Sequence, residues 1–163
     1  MSTFDPTQHP RGNASTGHAG QFTTKQQTNA DIALLHNLPE DIGERERLAR
    51  DPETSPNVLD ELSLDDSPKV RSQVASNPSA DGRILSRLAG ERKTSIRAAV
   101  AGHRNTNSDT LSRLARDKSA LVRWFVARHP NTPEEDLQLL STDEDKKVSY
   151  EVRSNPSYSG ESR

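Results

Sequence analysis

Two histidines are the first candidates for chemistry in this chain. His103 and His129 stand at equivalent positions of two successive repeats, so they are expected to stack as neighbours near the ends of successive helices. Two imidazoles could offer ligands to a metal ion, but no third ligand is evident. Polar side chains that satisfy backbone carbonyls at helix ends explain the same pair without a metal. We therefore predict no metal site and no cofactor.

Residues suited to covalent catalysis lack a recognisable arrangement. Serine and aspartate are abundant, yet no nucleophile elbow and no acid–base pair has the expected sequence context. The chain contains no cysteine, which excludes disulfides, thiolate metal sites and cysteine nucleophiles. These features predict that the protein is not an enzyme.

Arginines and carboxylates recur together with the same period as the two histidines. The arginines are Arg71, Arg97 and Arg123, and the carboxylates six positions ahead of the arginine position are Asp65, Glu91, Asp117 and Asp143. An arginine row turned outward would suit phosphates. A ladder of carboxylates and guanidinium groups between adjacent units is favoured instead, because each arginine comes with a periodic carboxylate beside a buried apolar position. Ser149 interrupts the arginine row in the last unit.

Charge is segregated along the chain although the formal net charge is only −2. Residues 83–128 contain eleven lysines and arginines against three carboxylates, and the segments on either side are acidic. Arg87 and Arg113 share one repeat position, so they should lie side by side on an exposed strip that can include Arg116. Such a strip suits an acidic protein partner or a nucleic-acid backbone, and a merely solvated face is the third alternative.

Trp124 is the only tryptophan, and it follows Val122 by two positions, which turns it away from the valine face of a helix. Ser72 and Ala98 stand at the equivalent positions, so the repeat does not require a large ring there. We therefore include Trp124 with Arg87, Arg113 and Arg116 among the predicted partner-binding residues.

The elements that position these residues follow from apolar side chains that recur every 26 positions. They are Val70, Ile96, Val122 and Val148; Val74, Val100, Val126 and Val152; Leu85, Leu111 and Leu137; and Leu88, Leu114 and Leu140. A period of this length is typical of a solenoid, in which each unit buries its apolar face only by stacking on its neighbours. The pattern predicts an all-α solenoid.

Each unit is predicted to contain two short helices. Ser67 and Pro68 are typical of a helix start, and Asn77-Pro78 ends that helix because a residue before proline avoids helical geometry. The same break recurs at residues 129–130 and 155–156, whereas residues 103–104 lack the proline and could turn differently. Only about nine residues remain for the second helix, which is therefore a short α-helix or a 3₁₀ helix. Capping boxes are expected at Thr106 and Thr132.

The composition predicts four segments. Residues 1–28 form a disordered leader, 29–43 a short capping helix and linker, 44–157 the solenoid, and 158–163 a frayed tail. The chain lacks an apolar segment of secretory or membrane-spanning length, so we expect a cytoplasmic protein that does not bind membranes. A monomer is expected.

The repeats DDSPKVRSQVASNPSADGRILSRLAG and DKSALVRWFVARHPNTPEEDLQLLS resemble the leucine-rich repeat variant family, a HEAT-like α-solenoid group. The resemblance covers roughly residues 44–157 and implies alternating α and 3₁₀ helices in a right-handed superhelix. The leader, with FDPTQHPRG and GQFTTK, resembles the start of uncharacterised actinobacterial and phage-associated proteins. We expect a non-catalytic scaffold that binds an unidentified acidic protein through the basic strip. The alternative is a nucleic-acid-binding accessory protein of a mobile element or phage.

Overall fold

The computed structural model describes residues 38–160 of the 163-residue chain. The predicted leader, most of the predicted capping segment and residues 161–163 of the predicted tail lie outside the described residues.

Every regular element between residues 38 and 160 is an α-helix. The helices are α1 Ile42–Arg50, α2 Pro56–Leu62, α3 Pro68–Ser76, α4 Gly82–Leu88, α5 Thr94–Ala101, α6 Ser108–Leu114, α7 Ala120–Arg128, α8 Glu134–Ser141 and α9 Lys146–Val152. The odd-numbered helices stack on one another in sequence, and each even-numbered helix packs beside its neighbours in this stack. The prediction of an all-α solenoid built from repeated two-helix units is confirmed.

The recurring apolar side chains form one continuous core. Val70, Ile96, Val122 and Val148 are completely buried, and the recurring leucines of the even-numbered helices are buried with them. Burial of one such side chain contributes about 1.5–3 kcal/mol, but only where a neighbouring unit covers it. The second helix of each unit is α-helical and seven or eight residues long, so the 3₁₀ alternative does not apply to the described units.

The starts of the even-numbered helices differ in part from the sequence prediction. Asn107, not Thr106, caps α6 by accepting the backbone N–H of Thr110 at 2.9 Å. The hydroxyls of Thr106 and Thr132 instead donate to the carbonyls of Val100 and Val126, at 2.6 Å. The prediction of two capping boxes was therefore wrong, because each threonine faces back into its own corner and closes the preceding helix.

A column of polar side chains joins the corners between the two helices of each unit. Asn77 Nδ2 donates to the carbonyl of Asp51 at 2.8 Å, one unit earlier. His103 Nε2 lies 2.9 Å from the carbonyl of Asn77, and His129 Nε2 lies 3.1 Å from that of His103. Asn155 repeats the contact with His129 at 2.9 Å. We name these four residues the corner column.

Both histidine rings have a second contact that fixes their tautomer. Nδ1 of His103 accepts the backbone N–H of Asn105, and Nδ1 of His129 accepts that of Asn131, each at 3.1 Å. Nε2–H is therefore the donor to the carbonyl of the preceding unit. Burial lowers the pKa of both rings. The unit with His103 in place of asparagine and no following proline turns as the others do, since the backbone N–H of Thr106 closes its corner on the His103 carbonyl.

Neither a metal-binding cluster nor a membrane-spanning helix is found among the residues that the structure describes. Among residues 38–160, no group of three or more histidines and carboxylates is arranged to hold a metal ion. Across that same range, none of the helices combines the length and the hydropathy that crossing a bilayer demands.

Candidate basic interaction groove

The recurring arginines each make a bridge between two successive units. Arg97 Nε and Nη2 donate to the two carboxylate oxygens of Asp117 at 2.6 and 2.9 Å, and Nη1 donates to the carbonyls of Glu91 and Arg92. The side chains of Arg97 and Asp117 are only 7% and 8% exposed. A two-pronged pair of this kind, with further bonds to backbone, holds both position and orientation.

The same bridge occurs in three other places. Arg71 pairs with Glu91 at 2.7 Å, Arg123 with Asp143 at 2.6 Å, and Arg45 with Asp65 at 2.6 Å. In each case the arginine pairs with the periodic carboxylate of the next unit. The acidic residue six positions before Arg71, Arg97 or Arg123 contributes its backbone carbonyl to that arginine. We name these four pairs the arginine ladder.

Two carboxylates of the ladder, Asp117 and Asp143, are held in their charged form. Hydrogen bonds from Arg123 lower the pKa of Asp143 although burial opposes them. Burial also raises the pKa of Asp117, but the hydrogen bonds from Arg97 and from the Ser119 backbone outweigh it and leave the pKa below the ordinary value. Arg45 was missed at the level of sequence, and the signal for it was its place one period before Arg71.

A shallow groove lies between the turn that follows α4 and the turn that follows α6. Its volume is about 500 Å³, and the ladder pair Arg97–Asp117 lines it. Four further basic residues line the same groove: Arg92, Arg113, Arg116 and Lys118. We name this the basic groove.

Two of the four predicted partner-binding residues lie in the basic groove. Arg113 is exposed, and its guanidinium donates to the carbonyl of Ser86. Arg116 pairs with Asp136 at 2.8 Å, but 61% of its side chain remains exposed. Arg92 and Lys118 complete the groove. The sequence did not identify them as site residues, because they contributed only to the total charge of residues 83–128.

The other two predicted residues lie elsewhere. Arg87 pairs with Asp60 at 2.7 Å and also contacts the Ser63 hydroxyl, so its charge is partly neutralised. Trp124 is half-buried, with the Phe125 ring edge-on at 5.0 Å and the Arg128 guanidinium 5.4 Å from its centroid. The tryptophan does not line the basic groove; it lines a separate pocket together with Leu121, Asp145 and Lys147.

Equivalent grooves recur along the solenoid, and the residues that line them differ in charge. The groove two units earlier has a volume of about 410 Å³ and is lined by the ladder pair Arg45–Asp65 together with Glu40, Glu61, Leu64 and Asp66. We name this the acidic groove. One unit after the basic groove, the ladder pair Arg123–Asp143 lines a groove together with Leu139, Thr142 and Glu144, and this groove shares Arg116, Asp117 and Lys118 with the basic groove. The described surface therefore changes from acidic to basic over two units, and the next groove contains equal numbers of both charges.

The repeats are similar to those of known proteins. A profile of the "Leucine rich repeat variant" family matches residues 120–145. The chain is similar to a solved leucine-rich repeat variant protein, described as having a novel repetitive structural motif, at 28% identity and a TM-score of 0.60. That match covers 77% of this chain and 51% of the other, so the chain spans about half the length of that protein. A designed armadillo repeat protein in complex with the peptide (KR)4 matches 76% of this chain and 77% of its own length, at 14% identity and a TM-score of 0.45. No curated protein sequence matches the chain.

Proposed function

Because the repeats of this chain are of the leucine-rich repeat variant type, we propose that it is a non-catalytic scaffold whose basic groove binds an acidic segment of a partner protein. Solenoids bind partners along the continuous surface that successive units build together. The basic groove is part of that surface, since two consecutive units line it. Its position beside the arginine ladder gives it a rigid support.

The observation that carries this proposal is the convergence of cations on one groove. Arg92, Arg113 and Lys118 are exposed, and among the described residues no carboxylate forms an ion pair with any of them. Their unpaired charges attract an acidic segment and speed its association. Arg116 adds a partly exposed guanidinium, which its ion pair with Asp136 already orients.

The extent of the basic surface favours a short acidic segment over a nucleic acid. Glu61 and Asp66 lie two units before it, and Glu144 lies one unit after it. A nucleic-acid backbone carries charge continuously along its length, so it would extend from the basic groove onto these carboxylates. Nucleic-acid binding is therefore the second candidate.

A titration with a fluorescent oligo-glutamate peptide tests the first candidate, with oligo-lysine as the peptide control. The protein variants are Arg113→Glu/Lys118→Glu and the matched control Arg47→Glu/Arg153→Glu, which changes net charge equally at exposed positions outside the grooves. We expect the groove variant to bind about 100-fold more weakly, since like charges then face the peptide, and the control to stay within about threefold of the wild type. Equal loss in both variants would show that net charge alone attracts the peptide and would overturn the proposal.

The second candidate is tested by titration with duplex and single-stranded DNA and RNA at low and moderate salt. Phosphate recognition requires affinity that falls steeply with salt concentration and is lost in Arg113→Glu/Lys118→Glu. Binding of that kind, together with no binding of oligo-glutamate, would replace the first candidate by the second. No binding at low salt would remove the nucleic-acid role.

A further inference from the structure

The acidic and basic grooves are related position by position. Residues two repeat periods apart are equivalent, and the groove-lining pairs are Glu40 with Arg92, Glu61 with Arg113, Leu64 with Arg116 and Asp66 with Lys118. The three carboxylates of the acidic groove that lie outside the ladder pair are thus replaced by cations in the basic groove. The ladder pair beside them is unchanged in type, since Arg45–Asp65 is equivalent to Arg97–Asp117.

Midway between the two grooves, the surface at the equivalent positions is nearly neutral. It has Asp66 and Arg92 at its two ends, which it shares with the acidic and the basic groove respectively. Between them stand Arg87, which Asp60 partly neutralises, and Gly90, which has no side chain. The acidic and basic grooves therefore lie at equal distances, counted in units, on either side of a small and weakly charged centre.

We propose that two copies of this chain associate in antiparallel orientation, the acidic groove of each copy lying against the basic groove of the other. The proposal rests on the proposed function, because it names a second copy of the chain as the acidic partner of the basic groove. It replaces the monomer that the sequence alone favours.

A two-fold axis through this middle surface brings the carboxylates of the acidic groove opposite the cations of the basic groove, while Arg87, which Asp60 partly neutralises, lies opposite its own copy. The units of the second copy then run in the opposite order, with Gly90 at the centre. In this arrangement Glu40 lies opposite Lys118 of the other copy, Glu61 opposite Arg113, and Asp66 opposite Arg92. Leu64, with 62% of its surface exposed, then faces the aliphatic stem of the other copy's Arg116. A two-fold contact is self-complementary, so each of these pairs occurs twice.

Parallel stacking of the same faces gives the opposite result. Each groove would then meet its own equivalent, with carboxylates against carboxylates and cations against cations. Like charges brought together oppose association. The order of charge along the chain therefore selects the antiparallel arrangement. Exposed ion pairs are individually weak and screened by salt, so the association is expected to be reversible and salt-sensitive.

The test uses the full chain in sedimentation-velocity experiments over a concentration series at low salt. The first variant, Arg92→Glu/Arg113→Glu/Lys118→Glu, makes both grooves acidic. The second variant, Glu40→Arg/Glu61→Arg/Asp66→Arg, makes both basic. The control variant, Arg47→Glu/Lys69→Glu/Arg153→Glu, applies the same charge change as the first at exposed positions outside the grooves. Circular dichroism verifies that all three fold.

We expect a wild-type dimer that dissociates as salt is raised, and first and second variants that self-associate at least about 100-fold more weakly, while the control resembles the wild type. The decisive result is a one-to-one complex when the first and second variants are mixed, because both contacts then pair opposite charges again. This rescue cannot arise if the substitutions merely damage the fold.

Three outcomes overturn the proposal. These are a wild-type protein that stays monomeric at high concentration and low salt, a dimer that the groove variants leave intact, and a mixture of the two variants that forms no complex. Each of them leaves the oligo-glutamate titration to decide the proposed function independently. If the wild-type protein does not bind oligo-glutamate but forms a dimer, and mixing the first and second variants restores that dimer, the basic groove would serve self-association alone.

Discussion

The arginine ladder and the grooves beside it use the same residue types in opposite ways. The ladder pair Arg97–Asp117 is almost fully buried and is one of four such pairs at consecutive unit junctions. The lining residues Arg92, Arg113 and Lys118 are exposed and stand where the groove two units earlier has carboxylates. In this chain, charged residues that repeat hold the stack together, whereas charged residues that vary distinguish one part of the surface from another.

The largest expected difference between the two regions comes from truncating one arginine in each. Arg97→Ala leaves the buried carboxylate of Asp117 without its partner and should lower the free energy of unfolding by about 3 kcal/mol. Arg92→Ala removes an exposed charge and should change it by at most about 0.5 kcal/mol. Urea unfolding followed by circular dichroism measures both values. Similar losses in the two variants would contradict the division into structural and surface arginines.

The corner column allows a second comparison, between removal and exchange of a repeated residue. His129→Ala removes the imidazole bonds to the His103 carbonyl and to the Asn131 N–H and leaves a space in the interior, so it should cost about 2 kcal/mol. His129→Asn introduces the side chain that makes this contact at residues 77 and 155, so it should cost less than about 1 kcal/mol. The midpoints of urea unfolding distinguish them, and equal costs would show that the imidazole itself is required.

The same column makes stability depend on pH. Burial lowers the pKa of His103 and His129, with Arg104 adding a repulsive charge near His103, whereas an unfolded histidine titrates near pH 6.5. As the pH falls below about 6.5, the unfolded chain binds protons before the folded one, so the free energy of unfolding decreases. Above that pH the contribution is fully present.

Urea midpoints at about pH 7.5 and about pH 5.5 measure this decrease. The variant His103→Asn/His129→Asn should lose less stability over the same interval. Asp117 and Asp143 of the ladder do not interfere, because their pKa values are lowered and they gain protons only in more acidic solution. An unchanged pH dependence in the variant would assign the effect to other groups.

The smallest expected effect on stability belongs to the groove itself. Arg113→Glu/Lys118→Glu should change the free energy of unfolding by no more than about 0.5 kcal/mol, because surface ion pairs and exposed charges contribute little. Its effect on peptide binding should be large at the same time. A loss of several kcal/mol in this variant would show that the basic groove contributes to holding the units together.

The sequence was sufficient for the architecture because the apolar period has a single physical explanation. Leu85, Leu111 and Leu137 are each completely buried, as a stack of repeated units requires. The carboxylates and arginines of the ladder, and their pairing between adjacent units, were predicted from the same period. The geometry of each pair was not, since it depends on how far one unit is displaced from the next.

The groove was only partly accessible from the sequence for a different reason. Charge was added along contiguous segments of the chain, whereas the solenoid brings together residues from two successive units. Arg92 and Lys118 join Arg113 for that reason, although a whole repeat period separates the first two. Arg87 was assigned to the strip by its repeat position, but Asp60 lies within reach of it and no equivalent carboxylate follows in the next unit. A comparison by repeat position would have shown the reversal between Glu61 and Arg113.

The corner column also has a consequence for how such a chain changes length. Each corner carbonyl receives a hydrogen bond from the following unit, and each corner side chain gives one to the preceding unit. Duplication of one whole repeat within the column would restore every bond at both new junctions, whereas an insertion of another length would leave a buried side-chain donor without its partner. Growth by whole units would then lengthen the charge pattern of the surface by one step at a time, without any redesign of the interior.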